Sequence, residues 1–272
     1  MKRILFALSA VVALASCAES YSVQGSSSIS SLDGSKLYLK TIKDNELKSI
    51  DSCDVVHGKF RFAGLLDTVC MANLFMDDEG IMPVVLEKGE ISIRIDKASQ
   101  TVGGTPLNDL LYEFIDLHNQ LSNQRDELTH KHSQMLLEGI DEDVINHTLA
   151  IEAATIAQRE DSLVTHFIID NFDNVLGPGV FMMMTGGYRY PVLTPQIEEI
   201  MSKATPKFKN DPYVKDYYQT ATENQARQLD MVPGEQNQTA LPAEQPQLTL
   251  PSAVAPIDSL APAEASPQDH AR

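Results

Sequence analysis

Three side chains able to form covalent bonds through sulfur stand at positions 17, 53 and 70 of the 272-residue chain. A thiolate can be alkylated, paired in a disulfide or bound to a metal, and each outcome demands its own spacing. No two of these cysteines form a C-x-x-C pair, which removes the usual zinc and dithiol-redox arrangements. Among the histidines, His130 and His132 are two apart on an expected helix and point in different directions, whereas a shared metal wants an i, i+4 pair. His118 and His147 stand apart from them, and all four read as residues of solvated helix faces. Asp141-Glu142-Asp143 lacks the alternating ligands and glycine of a calcium loop and reads as the acidic start of a helix. Gly186-Gly187-Tyr188-Arg189-Tyr190 is either a turn or a loop that stacks a ligand on its rings. No set of side chains assembles a catalytic centre, so no catalytic residue, metal or cofactor is assigned.

Cys17 is different because of what precedes it. Met1-Lys2-Arg3 is cationic, and Ile4–Ala15 is a mostly apolar run of about a dozen residues. A stable transmembrane helix needs about 20, but a secretory signal does not. The run closes on Leu14-Ala15-Ser16-Cys17, which resembles the bacterial lipobox. The resemblance implies that residues 1–16 are removed and that diacylglycerol joins the Cys17 thiol, with a further acyl chain such as palmitate on the new amino group. Two or three chains give stable anchoring where one is marginal. The expected location is the cell envelope of a Gram-negative bacterium. Ala18, where an Asp would favour inner-membrane retention, points to the periplasmic side of the outer membrane.

Charge supports an anchor made of lipid. The chain carries 38 acidic against 21 basic residues, and loss of Lys2 and Arg3 with the leader moves its net charge from −17 to −19. Such a body is repelled by anionic lipid and by phosphate backbones, so nucleic acid is excluded as a partner. Membrane contact through the lipid, and an envelope protein or glycan, are the partners expected.

The elements that position these residues follow from periodicity. Residues 17–35 read as a Ser-rich linker and first strand. Residues 36–105 carry short alternating runs, such as Lys59-Phe60-Arg61-Phe62 and Ile91-Ser92-Ile93-Arg94-Ile95, which predict an antiparallel sandwich or barrel-like sheet. At Pro106 the period changes: Leu107, Leu110, Phe114, Leu117 and Leu121 predict an amphipathic helix of six to eight turns. A second helix follows Gly139, with Ile145, Leu149, Ile156, Leu163 and Phe167 along one face, so the pair reads as a helical hairpin. Gly177-Pro178-Gly179 reads as a break, and shorter helices complete residues 106–230. Residues 231–272 form a Pro/Ala/Gln-rich tail; from Pro233 they hold seven of the 14 prolines and no aromatic residue, a composition that predicts disorder. The fold class is α+β.

The strand region resembles the domain of unknown function 4369. The matching stretches are Ile50-Asp51-Ser52, Gly58-Lys59-Phe60-Arg61-Phe62-Ala63-Gly64, Leu86-Glu87-Lys88-Gly89-Glu90-Ile91-Ser92-Ile93 and Val102-Gly103-Gly104-Thr105-Pro106-Leu107-Asn108. The resemblance covers residues 22–115, with the helical region resembling the usual spacer. In exported thiol:disulfide interchange lipoproteins this domain commonly precedes a thioredoxin-like domain with a W-C-x-x-C site. This chain has neither tryptophan nor C-x-x-C. The resemblance therefore implies a shared architecture and no reductase activity.

Cys53 and Cys70 remain. They form a disulfide, act as a reversible pair in envelope thiol-disulfide metabolism, or rest as two buried thiols. In a plain meander the strand at Phe60 separates them by about 9.5 Å, beyond the roughly 7 Å limit for a bridge. Asp67-Thr68-Val69, Asp161-Ser162-Leu163 and Asp258-Ser259-Leu260 resemble an O-glycosylation acceptor, with Ser259 the exposed one. The expected function is a lipid-anchored, non-catalytic binding or scaffolding module, with the thiol-pair role as the alternative.

Overall fold

The computed structural model describes residues 19–43 and 46–230. The leader, Cys17, Ser259 and the tail lie outside the described residues. Within them, eight strands precede six helices: β1 (Glu19–Ser27), β2 (Lys36–Lys43), β3 (Glu46–Asp54), β4 (Lys59–Leu66), β5 (Cys70–Met76), β6 (Glu79–Leu86), β7 (Gly89–Ile95) and β8 (Gln100–Gly103), then α1 (Pro106–Leu137), α2 (Glu142–Asp170), α3 (Leu176–Thr185), α4 (Pro195–Lys203), α5 (Pro206–Lys209) and α6 (Pro212–Asp230).

The strands form two four-stranded sheets, ordered β4-β1-β7-β8 and β3-β2-β5-β6. Period-two alternation puts Phe60 and Phe62 of β4 and Ile91, Ile93 and Ile95 of β7 into the core. The expected sandwich is present, with one departure from an antiparallel meander. The Ser-rich segment supplies β1, which lies inside its sheet, antiparallel to β4 and parallel to β7. Tyr21 and Val23 turn inward from it, and the serines alternate with them, which is why composition alone resembled a linker. The link from β3 to β4, which passes from one sheet to the other, turns at His57 (φ 51°) and Gly58 (φ 67°), a left-handed pair suited to a two-residue turn and closed by the Val56–Lys59 bridge.

One end of the sandwich gathers several chain segments, and we call it the N-terminal pole. Glu19 pairs there with Leu66 and lies 3.7 Å from Lys88. The β4–β5 link, the β6–β7 link and the start of α1 meet beside it. Glu87, buried at the end of β6, accepts hydrogen bonds from the Leu107 and Asn108 N–H groups at 2.8 and 3.2 Å, filling the orphan donors of the first turn of α1. Pro106 occupies the first helical position, where no N–H is needed. The Tyr112 hydroxyl then donates to the Pro83 carbonyl at 3.0 Å, so α1 runs back along β6 away from this pole. The stretches from Leu86 to Gly89 and from Thr105 to Asn108 thus owe their residue types to docking, since together they seat a helix on a sheet edge.

The 32 residues of α1 make about nine turns, longer than expected because the apolar spacing thins before the helix ends at Gly139 (φ 77°). Asp141 caps α2 by accepting from the Asp143 N–H, as the acidic triplet suggested. Phe114 stacks on Phe167 at 4.3 Å where the hairpin meets the main core. Further out, Leu121, Ile145, Leu149 and Ile156 are buried between the two helices, and Lys131 bridges to Glu152. Gly177-Pro178-Gly179 is not a break. It lies in the first turn of α3, the part of a helix that tolerates proline.

Candidate functional site

A cleft of about 760 Å³ opens where β2 and β5 meet α3 at the N-terminal pole. Its apolar walls are Ile42, Val69, Cys70, Met71 and Leu107 on one side and Val175, Met182 and Met183 on the other. Two glycines let α3 pack closely on its neighbours, Gly177 against the end of α2 and Gly179 against β5. A Cβ on Gly177 would stand 2.4 Å from the Asn171 carbonyl oxygen, and one on Gly179 would stand 2.7 Å from the Met71 side chain. Met71, Met182 and Met183 are half-buried, and unbranched thioethers adapt to irregular apolar guests.

Polar groups at one rim are committed to local structure. Asn174 Oδ1 accepts from the Leu176 N–H at 2.8 Å, and Asp211 Oδ1 from the Tyr213 N–H at 3.0 Å. Lys207 Nζ donates to the Asp173 carbonyl at 2.6 Å. The chemistry left open to a guest is mainly apolar, with the Cys70 thiol in the wall. Burial pushes that thiol up from its ordinary pKa, which favours the protonated, unreactive form.

Cys53 and Cys70 are free and half-buried, so the disulfide considered from sequence is not formed. They share a sheet, and the strand between them is β2; the Phe60 strand belongs to the other sheet. Cys53 pairs with Leu37 near one end of β2, whereas the β2–β5 register runs from Leu37 opposite Met76 to Lys40 opposite Asn73. Continued to Cys70, it leaves the thiols about 20 Å apart along the strands as well as two strand spacings sideways. A direct bridge would require the sheet to open. Burial, foremost, also pushes the Cys53 thiol up.

His118 departs from the solvated reading. It is 3% exposed, and its Nε2 lies 2.9 Å from Glu160 Oε1 across the hairpin, while Arg125 Nη1 lies 2.8 Å from Glu160 Oε2. The ring meets the carboxylate off its donor direction, and neither ring nitrogen has a well-formed hydrogen bond among the described residues. Contact with His118, foremost, together with the Arg125 charge, holds the Glu160 carboxyl below its ordinary range despite partial burial. The sequence contained half the signal, since His118 follows the buried Leu111 and Phe114 at seven and four residues. Glu160, 42 residues further on, offered none.

The remaining candidates stay apart. His130 and His147 are exposed, His132 is half-buried, and no group of three or more His, Cys, Asp or Glu side chains suited to a metal occurs among the described residues. Tyr188 packs against the core and Tyr190 is exposed, so the two rings do not form one stacking platform. No described helix is long and apolar enough to cross a membrane. Residues 1–18 match the model for a prokaryotic membrane lipoprotein lipid attachment site, and residues 21–111 match that for the domain of unknown function DUF4369. Neither a curated protein nor a solved structure matches the chain.

Proposed function

With a lipid attachment site at residues 1–18 and a DUF4369 domain at residues 21–111 as premises, we propose that the protein is a non-catalytic binding module of the cell envelope, held on the periplasmic side of the outer membrane. Its ligand surface is the cleft between β5 and α3. The observation that carries this reading is the cleft itself. Its volume suits a small ligand or a short segment of a partner, its walls are adaptable thioethers and aliphatic groups, and Asn174, Lys207 and Asp211 at one rim are already engaged. The alternative of Cys53 and Cys70 as a reversible pair loses support from their placement on opposite sides of β2.

The test uses the unlipidated chain from residue 19 to 272 and a neutral apolar fluorophore, N-phenylnaphthylamine. Saturable binding at one site, abolished by Met183→Glu or Val69→Glu and retained in Tyr190→Ala, supports the cleft. Absence of saturable binding, or equal loss in all three variants with their circular dichroism unchanged, overturns it.

A further inference from the structure

The cleft and Glu19, the first described residue, lie at the same pole. Cys17 precedes Glu19 by two residues, a reach of at most about 7 Å. Glu19 pairs with Leu66, and only Asp67 and Thr68 separate Leu66 from Val69 in the cleft wall. Lys88, on the β6–β7 link, contacts Glu19, and Leu107, the second residue of α1, forms another part of that wall. The acyl chains on Cys17 therefore start within a few residues of an open apolar cleft. A lipid chain spans about half of a hydrocarbon core roughly 30 Å thick, which is enough to cross the remaining distance.

Building on the reading of the cleft as a ligand site, we propose that its occupant is an acyl chain carried by Cys17 of the same molecule. A triacylated protein can place one chain in the cleft and keep two in the bilayer, still enough for stable anchoring. The cleft would then set the height and tilt of the domain over the membrane, because a chain held in its wall shortens the tether. The acidic body gains nothing from the lipid surface itself, so this covalent tether is the means by which its orientation can be fixed. The half-buried methionines suit such a guest because a linear hydrocarbon has no polar groups to satisfy and needs only a wall that conforms to it.

Cys70 reports occupancy, and Cys53, distant on the same sheet, is the reference. The full lipidated chain in phospholipid vesicles is compared with the unlipidated chain from residue 19, and maleimide alkylation of each thiol is followed by peptide mass spectrometry. The expected result is Cys70 alkylation at least tenfold slower in the lipidated protein, with Cys53 unchanged. Lipidated Met183→Glu and Val69→Glu, still anchored but with a charge in the cleft, should regain the fast Cys70 rate. Equal Cys70 rates in lipidated and unlipidated protein overturn the proposal. So does protection that persists in both charged variants, because proximity to the bilayer then accounts for it. Binding of N-phenylnaphthylamine separates the two readings. Binding that is lost on lipidation supports the acyl occupant, and binding equal in both forms overturns it while leaving the cleft as a ligand site. Failure of the unlipidated chain to bind removes the cleft reading itself.

Discussion

Asn108 and Val85 form a closed pair of hydrogen bonds: the Asn108 Oδ1 accepts from the Val85 N–H at 2.8 Å, and its Nδ2 donates to the Val85 carbonyl at 2.8 Å. Val85 lies on β6, an edge strand whose outward backbone groups have no strand neighbour. The side-chain amide mimics the missing strand where α1 begins to run along the edge, one turn before Tyr112 reaches the Pro83 carbonyl. Asn108 is fully buried, and the same Nδ2 also reaches the Thr105 hydroxyl at 2.8 Å.

Replacing Asn108 by Leu leaves the Val85 N–H and carbonyl buried without partners. The expected loss is about 2–4 kcal/mol, read as a lower midpoint in urea unfolding. Asn108→Asp should do worse, since its carboxylate would face both the Val85 carbonyl and Glu87. A loss below about 1 kcal/mol for both variants would show that water replaces this contact.

The Glu160 contacts with His118 and Arg125 predict a pH-dependent contribution to stability. The folded-state pKa of Glu160 is lowered, first by His118, so its contribution is present above the ordinary carboxylate range and lost as pH falls through the depressed value. Glu160→Gln should cost about 1–2 kcal/mol at neutral pH, and the gap from the parent protein should close below about pH 4. Thermal melts at a series of pH values test it; a constant gap down to pH 3 counts against the assignment. Asp161 works in the other direction, being pushed up by burial and then by Glu160, so Asp161→Asn should not reproduce the trend.

The two glycines of α3 should differ in tolerance. At Gly177 a methyl meets the backbone oxygen of Asn171, which cannot move without the helix, whereas at Gly179 it meets the flexible Met71. Gly177→Ala should destabilise by about 2 kcal/mol or more, and Gly179→Ala should cost less while altering probe binding in the cleft. Equal stability losses with unchanged probe affinity would contradict this placement.

Placement of the two thiols predicts that mild oxidation yields no Cys53–Cys70 bridge in the folded, unlipidated protein. Non-reducing peptide mapping after diamide treatment should recover both cysteines unlinked to each other. A bridged peptide formed without loss of the folded circular dichroism signal would refute the register.

Local patterning accounts for what could be read in advance. Phe60 and Phe62, and Ile91 to Ile95, alternate because one face of each strand is core. The helical spacing from Leu107 to Leu121 marks α1 correctly, but its buried face is Leu111, Phe114, Ile115, His118 and Leu121, while Leu110 and Leu117 of the expected stripe are exposed. Strand order could not be read this way, because β1 joins β4 and β7 through partners about 30 to 70 residues distant in the chain, beyond the reach of any local pattern. A Gly-Pro-Gly run has one local meaning as a break and another where a helix packs closely on its neighbours, and only the distances to Asn171 at the end of α2 and Met71 on β5 distinguish them. The cleft was invisible for the same reason, since Val69 and Met183 line its opposite sides without sharing a periodicity.

The direction of α1 fixes a separation. The helix begins at the pole where Glu19 lies and runs about 48 Å from Pro106 to Leu137. Its far end displays Leu136 and Leu137, with Val144 beyond the turn, all open to solvent. The hairpin therefore holds an apolar tip at the opposite end of the domain from Glu19 and the cleft, and each turn removed from both arms would bring that tip about 5.4 Å closer to the sheets.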